Sequence, residues 1–565
     1  MTVESKTTTP ERSGGGDEEK RSKSVRLRWS RDKTAITAIT AFFALAYSVF
    51  SCTMFYTART AIYDLGIFYQ GVKSYSDFRP GYSIAKGLHN FGVANFSVLG
   101  DHFSPIDALL APLIWIYNSP VDLLVAQAVL FALAIPWIWS FTKTALGGGR
   151  KGTIGAYFVS LSYAMSWPIA GAAAFNFHEV AWAPMLTAII FERLQKGKVK
   201  TAIVAIFFLL MVKEDMGFFL AGIGAGLIVT RQLGIPRQRL TGLIFVLVGI
   251  VYSVSAVYYF IPAMGGRADY YWAYQSLGPN APSAVKHIIG APFYAAKQLI
   301  TPRSKLHTEL ELFAPFLFLS LLSPYTWPAI PLILERFLAS KFNNWWTDTF
   351  HYNAYLIVPI ALGGVDGAIR ASKWITWGWR STTRAGTKAR KAADWSADKL
   401  PTVICAAFLA TAIAFVPFFA FGQVFDSSFY HRNATATAEA HASSLVPSGV
   451  VVAAAGNVGP FLLARDIVLV YDNDGNTSPY QPWVVGNDGT QGEFGFVTGK
   501  LETEQMQALI ARGYVIVWHD KATGFFVAHA PNVSYAHPYG TPILKGIPAG
   551  SGIPGGQADA SSGSD

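Results

Sequence analysis

From Thr34 to Gly422 the chain is a succession of apolar runs, and every second turn between them carries charges that are almost all Lys or Arg. A backbone that crosses a bilayer has to satisfy its own hydrogen bonds, so such runs fold as helices and pack side by side. The basic turns are Lys143–Lys151, Arg193–Lys200 and Arg231–Arg239, followed by the stretch 370–399. In that stretch Arg370, Lys373, Arg380, Arg384, Lys388, Arg390, Lys391 and Lys399 stand against Asp394 and Asp398. Ahead of the first run, Lys20 to Lys33 holds seven basic residues against one acid, Asp32. If the runs cross a membrane, all of these fall on one side, and basic turns mark the cytoplasmic side. The expected fold class is therefore mainly α, a polytopic membrane helical bundle in the plasma membrane with its N-terminus cytoplasmic.

Composition agrees. Of 565 residues, 52% are hydrophobic and only 14% are charged, against roughly 25% charged in soluble domains. The net charge of +10 sits mostly in the turns, so it reports topology and implies no nucleic-acid partner. Cys52 and Cys405 lie inside apolar runs and imply no disulfide framework.

Residues 1–33, rich in Ser, Thr, Gly and charge, read as a disordered basic cytoplasmic tail. The first span, about Thr34 to Thr57, reads as an uncleaved signal anchor, because Phe50 is too bulky for a lipoprotein cleavage site before Cys52. Further apolar segments are 121–142, 152–170, 180–194, 200–213, 216–231, 240–262, 309–323, 325–340, 352–370 and 400–422. That makes roughly eleven spans in a membrane domain of 34–422. Pieces of 14–16 residues reach only about 21–24 Å and must be tilted, kinked or partly re-entrant. The apolar piece 105–118 is short enough to lie in the interface. Between the first two spans lies a large outer loop, 58–103, and the remainder from 423 follows on the same side. That remainder has six Lys/Arg against twelve Asp/Glu, the reverse of the turns. Val450–Ala455, Ile467–Tyr471, Trp483–Val485, Tyr514–Trp518 and Phe525–His529 read as strands and Glu504–Arg512 as a helix ended by Gly513. These predict an extracytoplasmic α/β domain over 423–537 and a disordered Gly/Pro/Ser tail over 538–565.

Polar residues that a bilayer would not tolerate gather on the outer side. Asp64 follows the first span within Tyr63-Asp64-Leu65-Gly66-Ile67-Phe68-Tyr69-Gln70. A carboxylate with apolar neighbours costs desolvation energy unless it has a partner or a task. Its plainer role is to cap the turn after the helix. Gly100-Asp101-His102-Phe103-Ser104-Pro105 closes the first loop, with Ser104, Pro105 and Asp107 suited to N-cap, N1 and N3 of a helix, which leaves Asp101 and His102 free for chemistry. Asn176-Phe177-His178-Glu179 occupies another outer turn. Lys213-Glu214-Asp215 interrupts the apolar stretch Phe207–Leu220, so these three must line a cavity or pair with each other, and a water-filled cavity is expected. Arg336 lies late in one span and His351-Tyr352 opens the next. Alone, each has a bland reading: a solvated hairpin for 213–215, a helix start for His178 and Glu179, snorkelling for Arg336.

The motif series Tyr63-Asp64-Leu65-Gly66 through Gln70, Asp101-His102-Phe103-Ser104-Pro105, Phe177-His178-Glu179 and Lys213-Glu214-Asp215 resembles that of a family of predicted prokaryotic membrane proteins of unknown function, related to the GT-C glycosyltransferases. The resemblance covers roughly residues 35–530. It implies a GT-C-like bundle with a long first outer loop and transfer of a sugar from a polyprenyl-phosphate donor to an extracytoplasmic acceptor hydroxyl, usually with inversion. Asp64 matches the position of the catalytic base, although a double acidic motif is common where Asp64 stands alone. The partners implied are the lipid bilayer and the lipid-linked donor.

Such a transfer needs one carboxylate as base and positive charge for the departing phosphate. The charge would come from Arg336, Lys213 or Arg303, or from a divalent cation, Mg or Mn, held by Asp101, His102, Glu179 or His178. Gln70, His102, His178, Glu179, Lys213, Glu214, Asp215, Arg336, His351 and Tyr352 are the candidate substrate-binding residues, with Asp101, His102 and Glu179 as the metal set. Two other classes compete. Buried charges and Pro-broken helices also suit a transporter or flippase for a lipid-linked or small polar substrate. A non-catalytic, lipid-binding scaffold is the third. Sugar transfer by purified protein separates the first from solute uptake into proteoliposomes.

Overall fold

A computed structural model of the chain describes residues 15–230, 235, 237–384, 386–471, 481–487 and 502–531. Most of it is helical, with one small sheet near the C-terminus. Helix α1, Gly15–Tyr56, carries the first span. It begins at Gly15, inside the segment 1–33 read as a basic tail. A long apolar helix propagates cooperatively into a flanking segment that would not nucleate alone. The tail 538–565 and the segment 472–480 lie outside the described residues.

Among the described residues, five helical stretches are long and apolar enough to cross a membrane: Arg31–Tyr56, Val121–Ala145, Gln238–Ala263, Asn343–Thr382 and Lys399–Phe418. Val199–Leu210 and Met216–Val229 are shorter apolar helices, as the brief runs required. Several expected spans are not continuous helices: 152–170 is interrupted at Ser166, between the helices Gly149–Ala164 and Trp167–Ala174, and in 400–422 the helix ends at Phe415. Over 309–323 the Arg303–Phe313 helix breaks into 3-10 turns, with Leu317 and Phe318 left-handed at φ 53° and 58°. Over 325–340 the helix is only Ala329–Phe337. Pro315, Pro324 and Pro328 remove backbone donors there, which hydropathy alone does not register.

Helices are joined by small residues and by hydroxyls bonded to neighbouring backbone. A Cβ on Gly217 would stand 2.3 Å from the Gly249 carbonyl oxygen, so Met216–Val229 and Gln238–Ser255 cross at glycines. Close backbone approach of this kind supplies the packing contact that replaces the hydrophobic effect in lipid. The Ser51 hydroxyl donates to Ala173 O at 2.8 Å and that of Tyr163 to Phe131 O at 2.9 Å.

The segment 58–103, expected as a large outer loop, is not an open loop. It contains helix α2, Ile62–Ser76, which packs against the C-terminal domain. Strands β1 (Val451–Ala454), β2 (Ile467–Val470), β3 (Trp483–Asn487), β4 (Val515–His519) and β5 (Phe525–His529) form one sheet in the order β2-β1-β3-β5-β4. The β2-β1-β3 part is parallel and β5 and β4 are antiparallel. Gly456, just after β1, accepts the Ile62 N–H at 2.8 Å, so the sheet grips the start of α2. Gly66 serves this packing: a Cβ there would lie 3.4 Å from Leu463 of the domain and 2.8 Å from Ile62.

Candidate functional site

Asp64 occupies the third position of α2, not the end of α1. A carboxylate in the first turn of a helix is favoured by the dipole and by unsatisfied N–H groups. The entry to that turn is fixed from two sides: Gly456 O accepts from Ile62 N–H, and Asn176 Oδ1 accepts from Ala61 N–H at 3.2 Å. Asn176 leads directly to His178, whose Nε2 lies 3.6 Å from Asp64 Oδ1. The other ring nitrogen, Nδ1, is 3.2 Å from Asn176 O. A carbonyl only accepts, so Nδ1 carries hydrogen, and Nε2 faces Asp64 either as a lone pair or, in the imidazolium, as a donor. The ring is held between Phe68, 5.1 Å away edge-on, and His351, stacked at 3.6 Å. Asp64 remains 20% exposed beside a His178 that is 8% exposed, so this carboxylate can be reached.

Nearby, Glu179 and Asp215 are buried, while His102 and Glu214 keep 23% and 14% of their side chains exposed. Lys213 Nζ stands 3.2 Å from Glu179 Oε1, with side chains 10% and 0% exposed. Asp215 is buried beside them, and Glu335, unnoticed in the sequence, lies within electrostatic reach of Asp215, Lys213 and Glu214. Lys213 and Asp215 are thus held in a buried ion-pair cluster, where a water-filled cavity was expected. His102 Nδ1 lies 2.8 Å from Glu214 Oε1, and Phe103 N–H donates to Glu214 Oε2 at 3.0 Å. Burial and the Lys213 charge pull the His102 pKa down, but Glu214, bonded to it, outweighs them and holds it above its ordinary value. Burial raises Glu214 in turn, and the His102 charge overcomes that and holds it low. Both directions describe one ion pair tying the first loop to the 213–215 turn.

A second buried pair escaped the sequence reading. Lys86 Nζ is 3.0 Å from Asp101 Oδ1, and Tyr271 donates to the same oxygen at 2.6 Å. The ammonium also faces the rings of Tyr63, Tyr270 and Tyr271 at 5.5, 5.3 and 5.8 Å. Burial works against the charge on Lys86, yet Asp101 holds its pKa well above the ordinary lysine value. The available signal was a single Lys in Ile84-Ala85-Lys86-Gly87-Leu88, with its partner Tyr271 185 residues away.

Several expected site residues are occupied elsewhere. Gln70 donates to Val468 O at 2.7 Å and accepts from Ser83 and Ala85, linking α2 to β2 and to the loop. Arg336 donates to Trp345 O at 2.7 Å, to Tyr352 O and to Asn353 Oδ1, so it clasps the segment 345–353 and is only 3% exposed. His351 stacks on His178 at 3.6 Å, and Tyr352 lies within electrostatic reach of Lys213 and Asp64. Arg303 is exposed at the start of its helix, apart from these contacts. Asp107 caps no helix: Ser104 makes no capping bond, and Trp182 Nε1–H donates to Asp107 Oδ1 at 3.3 Å.

Asp101, His102 and Glu179 do not assemble as a metal set. Each meets a different partner, Lys86, Glu214 and Lys213, and two of those partners are cations. Among the described residues no group of three or more His, Cys, Asp or Glu is arranged to hold a metal ion. The residues present do not fit a shared divalent cation.

Comparison with known proteins gives two findings. A family model described as "Predicted membrane protein (DUF2079)" matches residues 54–498. The structure is similar to the crystal structure of ArnT from Cupriavidus metallidurans bound to undecaprenyl phosphate, at 11% identity and a TM-score of 0.48, over 88% of this chain and 98% of that one. None of the curated proteins matches the sequence significantly.

Proposed function

The chain belongs to the DUF2079 family of predicted membrane proteins, and from that premise we propose that it is a membrane-embedded glycosyltransferase of GT-C type, transferring a sugar from a polyprenyl-phosphate donor to an extracytoplasmic hydroxyl. One observation carries the reading. Asp64 is 20% exposed, against 14% for Glu214, 11% for Asp101 and 0% for Glu179, each of which is in contact with a cation or histidine, and it faces His178 Nε2 at 3.6 Å. In the proposed step Asp64 takes the proton of the acceptor hydroxyl as its oxygen attacks the anomeric carbon. The bond to the carrier phosphate breaks on the opposite face, and its electron pair leaves with the phosphate, giving inversion. His178 orients the carboxylate. No step is assigned to a divalent cation.

The same reading fixes the sides of the membrane. Asp32, Lys143 and Lys196 gather at one end of the bundle and are assigned to the cytoplasm. The Asp64 end and the sheet domain are assigned to the outside. A reporter active only in the cytoplasm, fused after Asp426, is expected to be silent. The deciding assay is transfer of labelled sugar from a lipid-linked donor by the purified protein, with Asp64→Asn as the partner sample. Uptake of solute into proteoliposomes without any transfer would replace this reading by that of a carrier.

A further inference from the structure

Between Asp269 and Glu309 the chain carries no acidic residue, and that stretch contains two short helices, Ala281–Gly290 and Pro292–Leu299. Asn280 Oδ1 accepts from Ser283 N–H at 3.0 Å and caps the first, and Pro282 and Pro292 occupy opening positions where a helix has no use for the missing donor. At 1.5 Å per residue the two are about 15 and 12 Å long, far short of the roughly 30 Å of a bilayer's apolar core. Neither is a span. Both are tied to the end of the bundle that holds Asp64. Lys305, 1% exposed, donates to Gln298 O at 3.0 Å and to Phe337 O and Ala339 O, each at 2.7 Å, which fastens the second helix to the turn behind Arg336. Ahead of the first helix, Ala273 O accepts from Ser340 N–H at 2.7 Å and Tyr271 reaches Asp101.

The open face of this pair is apolar with basic residues on it. Ala284 and Ala295 are buried against the protein, one on each helix, while Val285, Ile289 and Phe293 are 55%, 76% and 91% exposed. Val285 and Ile289 stand one turn apart and so share a face. Lys286 and Lys297 are exposed on the same two helices, and Arg303 is exposed just beyond them. None of these three side chains has an ion-pair or hydrogen-bond partner among the described residues. Lys305 is outside this count, because its ammonium is spent on three carbonyls. Large apolar side chains left open on helices too short to span mark a surface that meets a partner. An apolar helix face with lysines on it fits the lipid–water interface, where the apolar groups enter the acyl region and the ammonium groups reach up to the phosphates. A second copy of the chain fits less well. In a two-fold interface the same patch meets itself, which would set these three cations against three more.

We propose that the helices Ala281–Gly290 and Pro292–Leu299 dock in the plane of an anionic lipid surface. Val285, Ile289 and Phe293 enter the acyl region of the leaflet at the Asp64 end, and Lys286, Lys297 and Arg303 meet the lipid phosphates. The docking uses none of the residues around Asp64, so it stands or falls separately from sugar transfer.

The test labels full-length protein carrying Cys52→Ala with a bimane at Phe293→Cys or, as a control in the exposed turn between β4 and β5, at Lys521→Cys. Each is placed in nanodiscs of zwitterionic lipid, with and without phosphatidylglycerol, that contain a lipid with a nitroxide on its acyl chain. Quenching at position 293 and none at 521 is expected, stronger with phosphatidylglycerol and weakened by salt. Lys286→Gln with Lys297→Gln should lower the ratio of quenched to unquenched label at 293 about tenfold or more, at about fivefold for each lysine at a lipid surface. That double variant should melt like its parent, because both side chains are exposed and unpaired. Should the label at 293 disturb folding, Ile289→Cys provides a second position with the same expectation. Quenching at 293 by iodide in the water and not by the nitroxide lipid overturns the proposal. Protection from both quenchers in a particle of two chains gives the face to a second copy and overturns it as well. Equal quenching in the two lipid mixtures would leave the cations without a role and overturn the anionic surface.

Discussion

Two histidine–carboxylate pairs stand in the same cluster, and they are built differently. His102 and Glu214 are in direct contact at 2.8 Å, with a backbone N–H from Phe103 completing the carboxylate. Asp64 and His178 stand 3.6 Å apart, beyond hydrogen-bond range, with Asp64 open to approach. Two atoms at that separation can both lie within hydrogen-bond distance of one incoming hydroxyl, whereas the closed pair has no vacancy for one. The difference separates a charge pair that holds the architecture from one with room for a third group between its members. Four substitutions test it.

The largest effect is expected at Asp64. Asp64→Asn keeps shape and removes basicity, and loss of a general base costs 10²–10⁴-fold, or about 3–5 kcal/mol of barrier. The variant should insert and melt like wild type and lose at least a hundredfold in transfer. Undiminished transfer would remove Asp64 from the mechanism and leave the open pair without a function.

The closed pair should respond in stability instead. Glu214→Gln leaves His102 without its counter-charge and should cost about 2–3 kcal/mol, the scale of a charge-assisted hydrogen bond. The pH dependence has a definite sign. A histidine whose pKa is raised by folding contributes stability that is complete below its unfolded value near 6.5 and lost as pH rises through the folded value. The His102 pKa is raised in this way, so the melting temperature should fall as pH climbs from neutral into the alkaline range. Glu214 is held low, so its share is lost only on the acid side. In Glu214→Gln the alkaline slope should flatten. An unchanged slope would mean that His102 is not the titrating group.

His178→Asn should have a smaller effect than either. It removes the ring that faces Asp64 but no charge that the fold depends on, so about a tenfold loss in kcat is expected, or 1.4 kcal/mol. Because His178 is placed as a positioning residue, the pH profile of kcat should shift as well. A drop in melting temperature with kcat intact would make the ring a packing element only.

Much of this arrangement could be read from single residues that violate their surroundings. A charge inside an apolar run announces itself locally, which is why Lys213-Glu214-Asp215 and the Asp64 and His178 motifs could be singled out. The five strands were legible for a similar reason, being short β-branched and aromatic runs between turn residues. The partners were not. Gln70 meets Val468 across 398 positions, and Lys86 meets Tyr271 across 185. Nothing local records such pairings. Arg336 misled because a late-span arginine looks free in a sequence, while its donors are spent on the 345–353 segment. The broken stretch 309–340 misled because hydropathy averages over prolines that remove backbone donors.

The smallest effect is expected at Asp107, and it bears on whether Asp64 acts alone. As a helix cap, Asp107 would cost about 1 kcal/mol on conversion to Asn. The structure assigns it no cap: its Oδ1 accepts from Trp182 at 3.3 Å, its Oδ2 is buried with no partner, and Glu179 lies within electrostatic reach. A buried carboxylate near another has more to lose by being charged than by being amidated. An Asn at this position still accepts from Trp182 and can turn its NH2 toward Glu179. Asp107→Asn should therefore melt within about 1 kcal/mol of wild type, with any change toward greater stability, and keep most of its activity. A hundredfold fall in transfer at unchanged melting temperature would put a second carboxylate beside Asp64 in the chemistry, and the contrast between one open pair and one closed pair would no longer describe the site.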